Sequence, residues 1–87
     1  MPAEWLASRH PCVVGADNFA VDVVPPVYPE VFHPVHQHLN MKHGIYLHEG
    51  MALDALAERE RWRFAYVFAP LPIVGATGSP GAPFAVV

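Results

Sequence analysis

A chain of 87 residues that is 53% hydrophobic and only 15% charged has room for one domain, in which a core of this size hides about 60% of the unfolded surface. A net charge of -3 with five Lys plus Arg supplies no basic stripe for phosphates, so nucleic acid is not expected as a partner. Nor is a membrane, because there is no basic amphipathic helix and no apolar run of about 18 residues.

The single cysteine, Cys12, excludes an intrachain disulfide, and no signal-peptide core lies within Met1 to Arg9, so the cytoplasm is the expected compartment. The apolar excess predicts a piece that packs against something else, either a further domain or a second copy of itself. A homo-oligomer is therefore expected.

Pro2 to Ser8 reads as a short helix with Trp5 and Leu6 as its apolar contacts, stopped at Pro11. With Trp5 to bury, it is expected to pack against preceding chain. Cys12-Val13-Val14 reads as a short buried strand and Gly15-Ala16-Asp17-Asn18 as a turn. Phe19 to Val24 is an apolar segment interrupted by Asp22, and both Asp17 and Asp22 are expected to bond their own turn backbone. Four prolines make Val24 to Pro34 an extended connector, long enough to line a site.

The stretch from Phe32 to Gly50 then holds five of the six histidines. Histidine is the commonest metal ligand, so the cluster is a chemical signal. On a helix starting after Pro34, His36, Asn40 and His43 fall at i, i+4 and i+7 on one face, while His38 points roughly 200° away from His36. Gly44 ends the helix and Ile45-Tyr46-Leu47 reads as a strand that delivers His48 and Glu49. A helix histidine and a carboxylate at the end of the next strand can converge on one ion, and His36 with Glu49 is the best such pair. Surface histidines are ordinary, and most of the five are expected to bind nothing. No CxxC or HExxH spacing adds to the signal.

Beyond Glu49, Leu53, Leu56 and Ala57 give a brief helical pattern with Asp54 as N-cap, followed by the charges Glu58 to Arg61 on a solvated face. Trp62, Phe64, Tyr66 and Phe68 alternate with Arg63, Ala65, Val67 and Ala69. That pattern predicts a central strand covered on both faces. Pro70 and Pro72 allow at best an edge strand over Leu71 to Val74. Gly75 to Gly81 is a glycine-rich loop with neither phosphate-binding spacing, leading to a last strand at Phe84 to Val87.

Four blocks taken together, VGADNFAVDVVP (Val14 to Pro25), HPVHQHL (His33 to Leu39), GIYLHEG (Gly44 to Gly50) and PLPIVGATGSP (Pro70 to Pro80), resemble the C-terminal part of the cyclase family. This group of metal-dependent hydrolases includes bacterial kynurenine formamidases and isatin hydrolases. The resemblance implies an α+β fold, the C-terminal portion of a swivelling β/β/α cyclase-type fold with short helices on a mixed sheet. Residues 1-87 would then form a single partial domain. It also implies a divalent metal, zinc or manganese, that activates water for amide hydrolysis such as the arylformamidase step of tryptophan catabolism, N-formylkynurenine to kynurenine. The metal ligands it implies are His36 and Glu49, with His33 and His38 crowding the histidine position.

The family's His-x-Gly-Thr-His-x-Asp motif does not occur in this sequence, Gly50-Met51 stands where relatives have Asn-Leu, and Gly81-Ala82 replaces a bulkier pair. Two ligands hold an ion weakly, since catalytic zinc keeps three. The expectation is a fragment inactive alone, acting on a small-molecule amide only when completed by an N-terminal half. The competing expectation is a non-catalytic dimerising or metal-binding module derived from the same family.

Overall fold

The computed structural model describes residues 2–87. The chain is mixed α+β and falls into two compact units, Met1–Leu53 and Asp54–Val87. In place of one mixed sheet there are two pairs of three-residue strands. No described helix is long and apolar enough to cross a membrane.

In the first unit, α1 (Pro2–Ser8) leads to β1 (Val13–Gly15), and a helix wound to the wider π repeat (His36–Lys42) leads to β2 (Tyr46–His48). The two strands run parallel, with Val13 beside Tyr46, Val14 beside Leu47 and Gly15 beside His48. Parallel neighbours need a long crossover, which here is the loop after β1 together with the π-helix. The pairing continues past the strands: Ala16 N–H donates to His48 O, and Met51 N–H donates to Ala16 O, both at 3.0 Å. Glu49 is thereby held in a backbone bonded on either side of it.

The core of this unit is Ala3, Ala7, Leu39 and Ile45, with Leu6, Val14, Val35 and Leu47 packed against it. Leu39 is fully buried where α1 packs on the π-helix. Trp5, expected to be buried, is 59% exposed. The reason is helical phase: Ala3, Leu6 and Ala7 share one side, whereas Trp5 sits roughly 200° round from Ala7. Its ring lies instead 5.1 Å under the Arg9 guanidinium in a cation–π contact.

The π winding alters the expected helix faces. Positions five apart now meet, so His43 stacks near His38 with ring centroids 4.9 Å apart rather than joining His36. The helix closes at Gly44, whose φ of 67° suits a residue without Cβ. Ile45 N–H reaches back to Leu39 O at 2.9 Å, and the Asn40 amide donates to Ile45 O at 3.1 Å.

The second unit holds α2 (Asp54–Glu58), β3 (Ala65–Val67) and β4 (Phe84–Val86), the strands pairing antiparallel with Tyr66 beside Ala85. The predicted central strand from Trp62 to Ala69 is a three-residue strand with one partner. Trp62 is 74% exposed, and Phe64, Val67 and Phe84 are exposed as well. Alternation sorts side chains to two faces, and here Tyr66 and Phe68 are half-buried while no residue of this unit is fully buried. Leu71 to Val74 forms no strand. The loop after it is pinned by Leu71 N–H donating to Ser79 Oγ at 3.1 Å.

Candidate metal centre

Asp22 is the surprise of the first unit. Its side chain does not bond its own turn; the residue is only 4% exposed and its carboxylate reaches across thirteen residues to the start of the π-helix. Val35 N–H donates to Oδ1 at 3.1 Å, and the Asn18 amide donates to the Asp22 carbonyl at 3.1 Å. The chain enters this position through Ala20 and Val21 at φ of 69° and 54°. Left-handed backbone is uncommon for any residue with a Cβ and an outlier for a β-branched one, and such strain gathers at functional sites.

The other carboxylate oxygen, Oδ2, faces two histidines. His36 Nδ1 lies at 3.3 Å and His33 Nδ1 at 3.6 Å. His33 has a φ of 47°, and its ring meets Phe32 edge-on at 4.0 Å and lies 5.3 Å from the His36 ring. Asp22, His33 and His36 form a group whose ligand atoms all lie within 4.8 Å of one another and could hold a metal ion. Atoms bound tetrahedrally to an ion at about 2.0–2.1 Å sit roughly 3.3 Å apart, which the Asp22–His36 distance meets and the Asp22–His33 distance of 3.6 Å exceeds.

The far nitrogen of the same ring meets Glu49. His36 Nε2 is 2.9 Å from Glu49 Oε1, an ordinary hydrogen-bond distance between a histidine and a carboxylate. The structure thus brings together His36 and Glu49, the pair proposed from sequence. It leaves His38 beside His43, outside the group. His33 joins it through Asp22.

Asp22 escapes sequence reasoning because an acid beside a turn usually caps its own backbone. The signal available was its place in an otherwise apolar run, Phe19 to Val24. Imidazole nitrogen with carboxylate oxygen suits zinc or manganese, so the donor set fits a divalent cation.

Compared with protein-family models, with curated proteins and with solved structures, the chain matches none of them.

Proposed function

We propose that this chain is the C-terminal, metal-holding part of a cyclase-type amide hydrolase acting on a small aryl formamide, with His36 and Glu49 as its ligands for zinc or manganese. The observation that carries this reading is the 2.9 Å approach of His36 Nε2 to Glu49 Oε1. The four sequence blocks support it, and the α+β character of the chain is consistent with a cyclase-type fold. A bound divalent cation supplies Lewis-acid activation of water and of the amide carbonyl.

The chain's own residues hold and orient. β2 sets Glu49 in a backbone bonded to the β1 side, while Asp22 and the π-helix fix His36. Two ligands fall short of the three usual at catalytic zinc, so hydrolysis requires an N-terminal half carrying the remaining histidines.

The test is complementation. Adding the N-terminal half of a cyclase-family formamidase should give metal-dependent hydrolysis of N-formylkynurenine, and Glu49→Ala should abolish it. A mixture that stays inactive at saturating zinc and manganese overturns the reading.

A second reading, a non-catalytic module that dimerises, draws on the exposed Trp62, Phe64 and Phe84 of the second unit. It predicts metal-independent self-association, with no hydrolysis under any complementation.

A further inference from the structure

We propose that Asp22, His33 and His36 form a divalent-cation site of their own, on the Nδ1 side of His36, which ties the neck of the proline-rich loop to the π-helix. The site goes beyond the hydrolase reading and does not rest on it, since that reading uses Nε2 of the same ring.

A buried charge is the first reason. The Asp22 side chain is 3% exposed, and an ionised carboxylate so deeply placed is costly unless it is paired or coordinates a metal. Val35 N–H donates to its Oδ1 at 3.1 Å. Oδ2 faces two imidazole nitrogens, His36 Nδ1 at 3.3 Å and His33 Nδ1 at 3.6 Å, and among the described residues no Lys or Arg forms an ion pair with it. A cation among these three atoms balances the carboxylate.

The ligands are also held in advance. Gln37 N–H donates to His33 O at 3.1 Å and the Gln37 side-chain amide donates to Phe32 O, so His33 is tied to the first turn of the helix that begins at His36. Asp22 is tied to the same turn through Val35. The three ligand atoms, all within 4.8 Å of one another, thus come from segments whose backbones are already joined. Val21 and His33 have φ of 54° and 47°, strain of the kind that ligand clamps store.

Between the ligands lies what the ion would secure. Residues 23–30 are all exposed, Val23, Val24, Val27 and Tyr28 among them, so apolar packing does not hold the loop. Small chains with a small core commonly add a metal to close such a gap.

Two imidazoles and one carboxylate, with the half-buried rings leaving a fourth position to solvent, is a donor set that zinc takes. On the far side of the ring, Nε2 lies 2.9 Å from Glu49 Oε1, and a metal-bound histidine commonly gives its other nitrogen to such a carboxylate. A neutral imidazole has one nitrogen free to bind a metal, so His36 serves one ion at a time. In this chain alone the Nδ1 side offers three ligands and the Nε2 side two. The ion therefore goes to Asp22 until an N-terminal half adds ligands beside Glu49.

The test is zinc binding to the full chain, followed by titration calorimetry and by the 15N shifts of the histidine rings. The first equivalent of zinc is expected on Nδ1 of His33 and Nδ1 of His36. His33→Asn, which places a residue tolerant of left-handed backbone at that position, should weaken zinc binding at least about 10-fold, and Asp22→Asn should do the same. Zinc carried on Nε2 of His36 overturns the site, as does an affinity unchanged in His33→Asn or a parent chain that takes up no zinc. Should Asp22→Asn not fold, the parent spectrum and His33→Asn decide.

Discussion

The Met51 side chain lies over Gly15, so that a Cβ built on Gly15 would collide with the Met51 sulfur and stand 3.4 Å from the His48 carbonyl oxygen. The backbone oxygen leaves room for such a Cβ, so the collision falls on the Met51 side chain. Gly15→Ala is expected to destabilise the first unit by about 1 kcal/mol, the low end of overpacking, because the Met51 thioether can swing aside. Most of that loss should return in the Gly15→Ala/Met51→Ala double variant. Urea unfolding of the three variants checks this, and equal loss in single and double variants would place the cost in the backbone instead.

Leu39 should be the most sensitive apolar position. It is fully buried, its carbonyl closes the π-helix, and its side chain joins the alanines of α1 to Ile45. Leu39→Ala is expected to cost about 2–5 kcal/mol. In a core this small that is enough to abolish a cooperative melt, whereas Trp5→Ala on the exposed side of α1 should cost far less. Near-ultraviolet circular dichroism separates the two.

Zinc should raise the melting temperature of the chain, and a chelator should reverse the rise. A ligand that binds only the native state stabilises it by about 2.7 kcal/mol at a hundred times its dissociation constant. His36→Ala should eliminate the shift, because both candidate ligand sets use that ring. His38→Ala should leave it intact, since that ring stands against His43. An equal zinc shift in all three proteins would mean that the cation binds elsewhere.

Burial raises the Tyr66 phenol above its usual 10.0. Because the folded value is the higher one, the contribution of this group to stability is complete below about pH 10 and is lost as pH rises through the folded value. The chain should therefore lose stability in that alkaline window. Tyr66→Phe should flatten the dependence, which denaturant melts between pH 9 and 11, together with phenolate absorbance, would show.

How much of this was legible beforehand depended on whether a feature is local. The Pro2–Ser8 helix, the strand leading to Glu49 and the closeness of Glu49 to His36 follow from short-range signals: a proline start, a glycine stop, a short run with β-branched and aromatic residues. Asp22 and His33 were not legible as partners, because what places them is left-handed backbone at Ala20, Val21 and His33, residue types that rarely adopt it. The π winding was invisible for a related reason. Hydrophobic periodicity over seven residues does not distinguish an i+5 repeat from an i+4 one, so the His38–His43 pair was missed. The aromatic stripe from Trp62 to Phe68 shows the opposite failure. Its alternation predicts two covered faces over eight residues, whereas the strand spans only Ala65–Val67, because a pattern of side chains carries no information about what lies above them.

The prolines around the second sheet have a consequence for solubility. A bare strand edge is a template for intermolecular ladder growth, and β3 and β4 carry exposed apolar side chains that would favour it. Pro70 and Pro72 follow β3 at a short distance, and Pro80 and Pro83 precede β4. A proline has no N–H to give to a neighbouring strand and so acts as a gatekeeper against fibril-like stacking. The ladder in this unit is thus confined to three rungs, and replacing these prolines with threonine would be expected to promote aggregation.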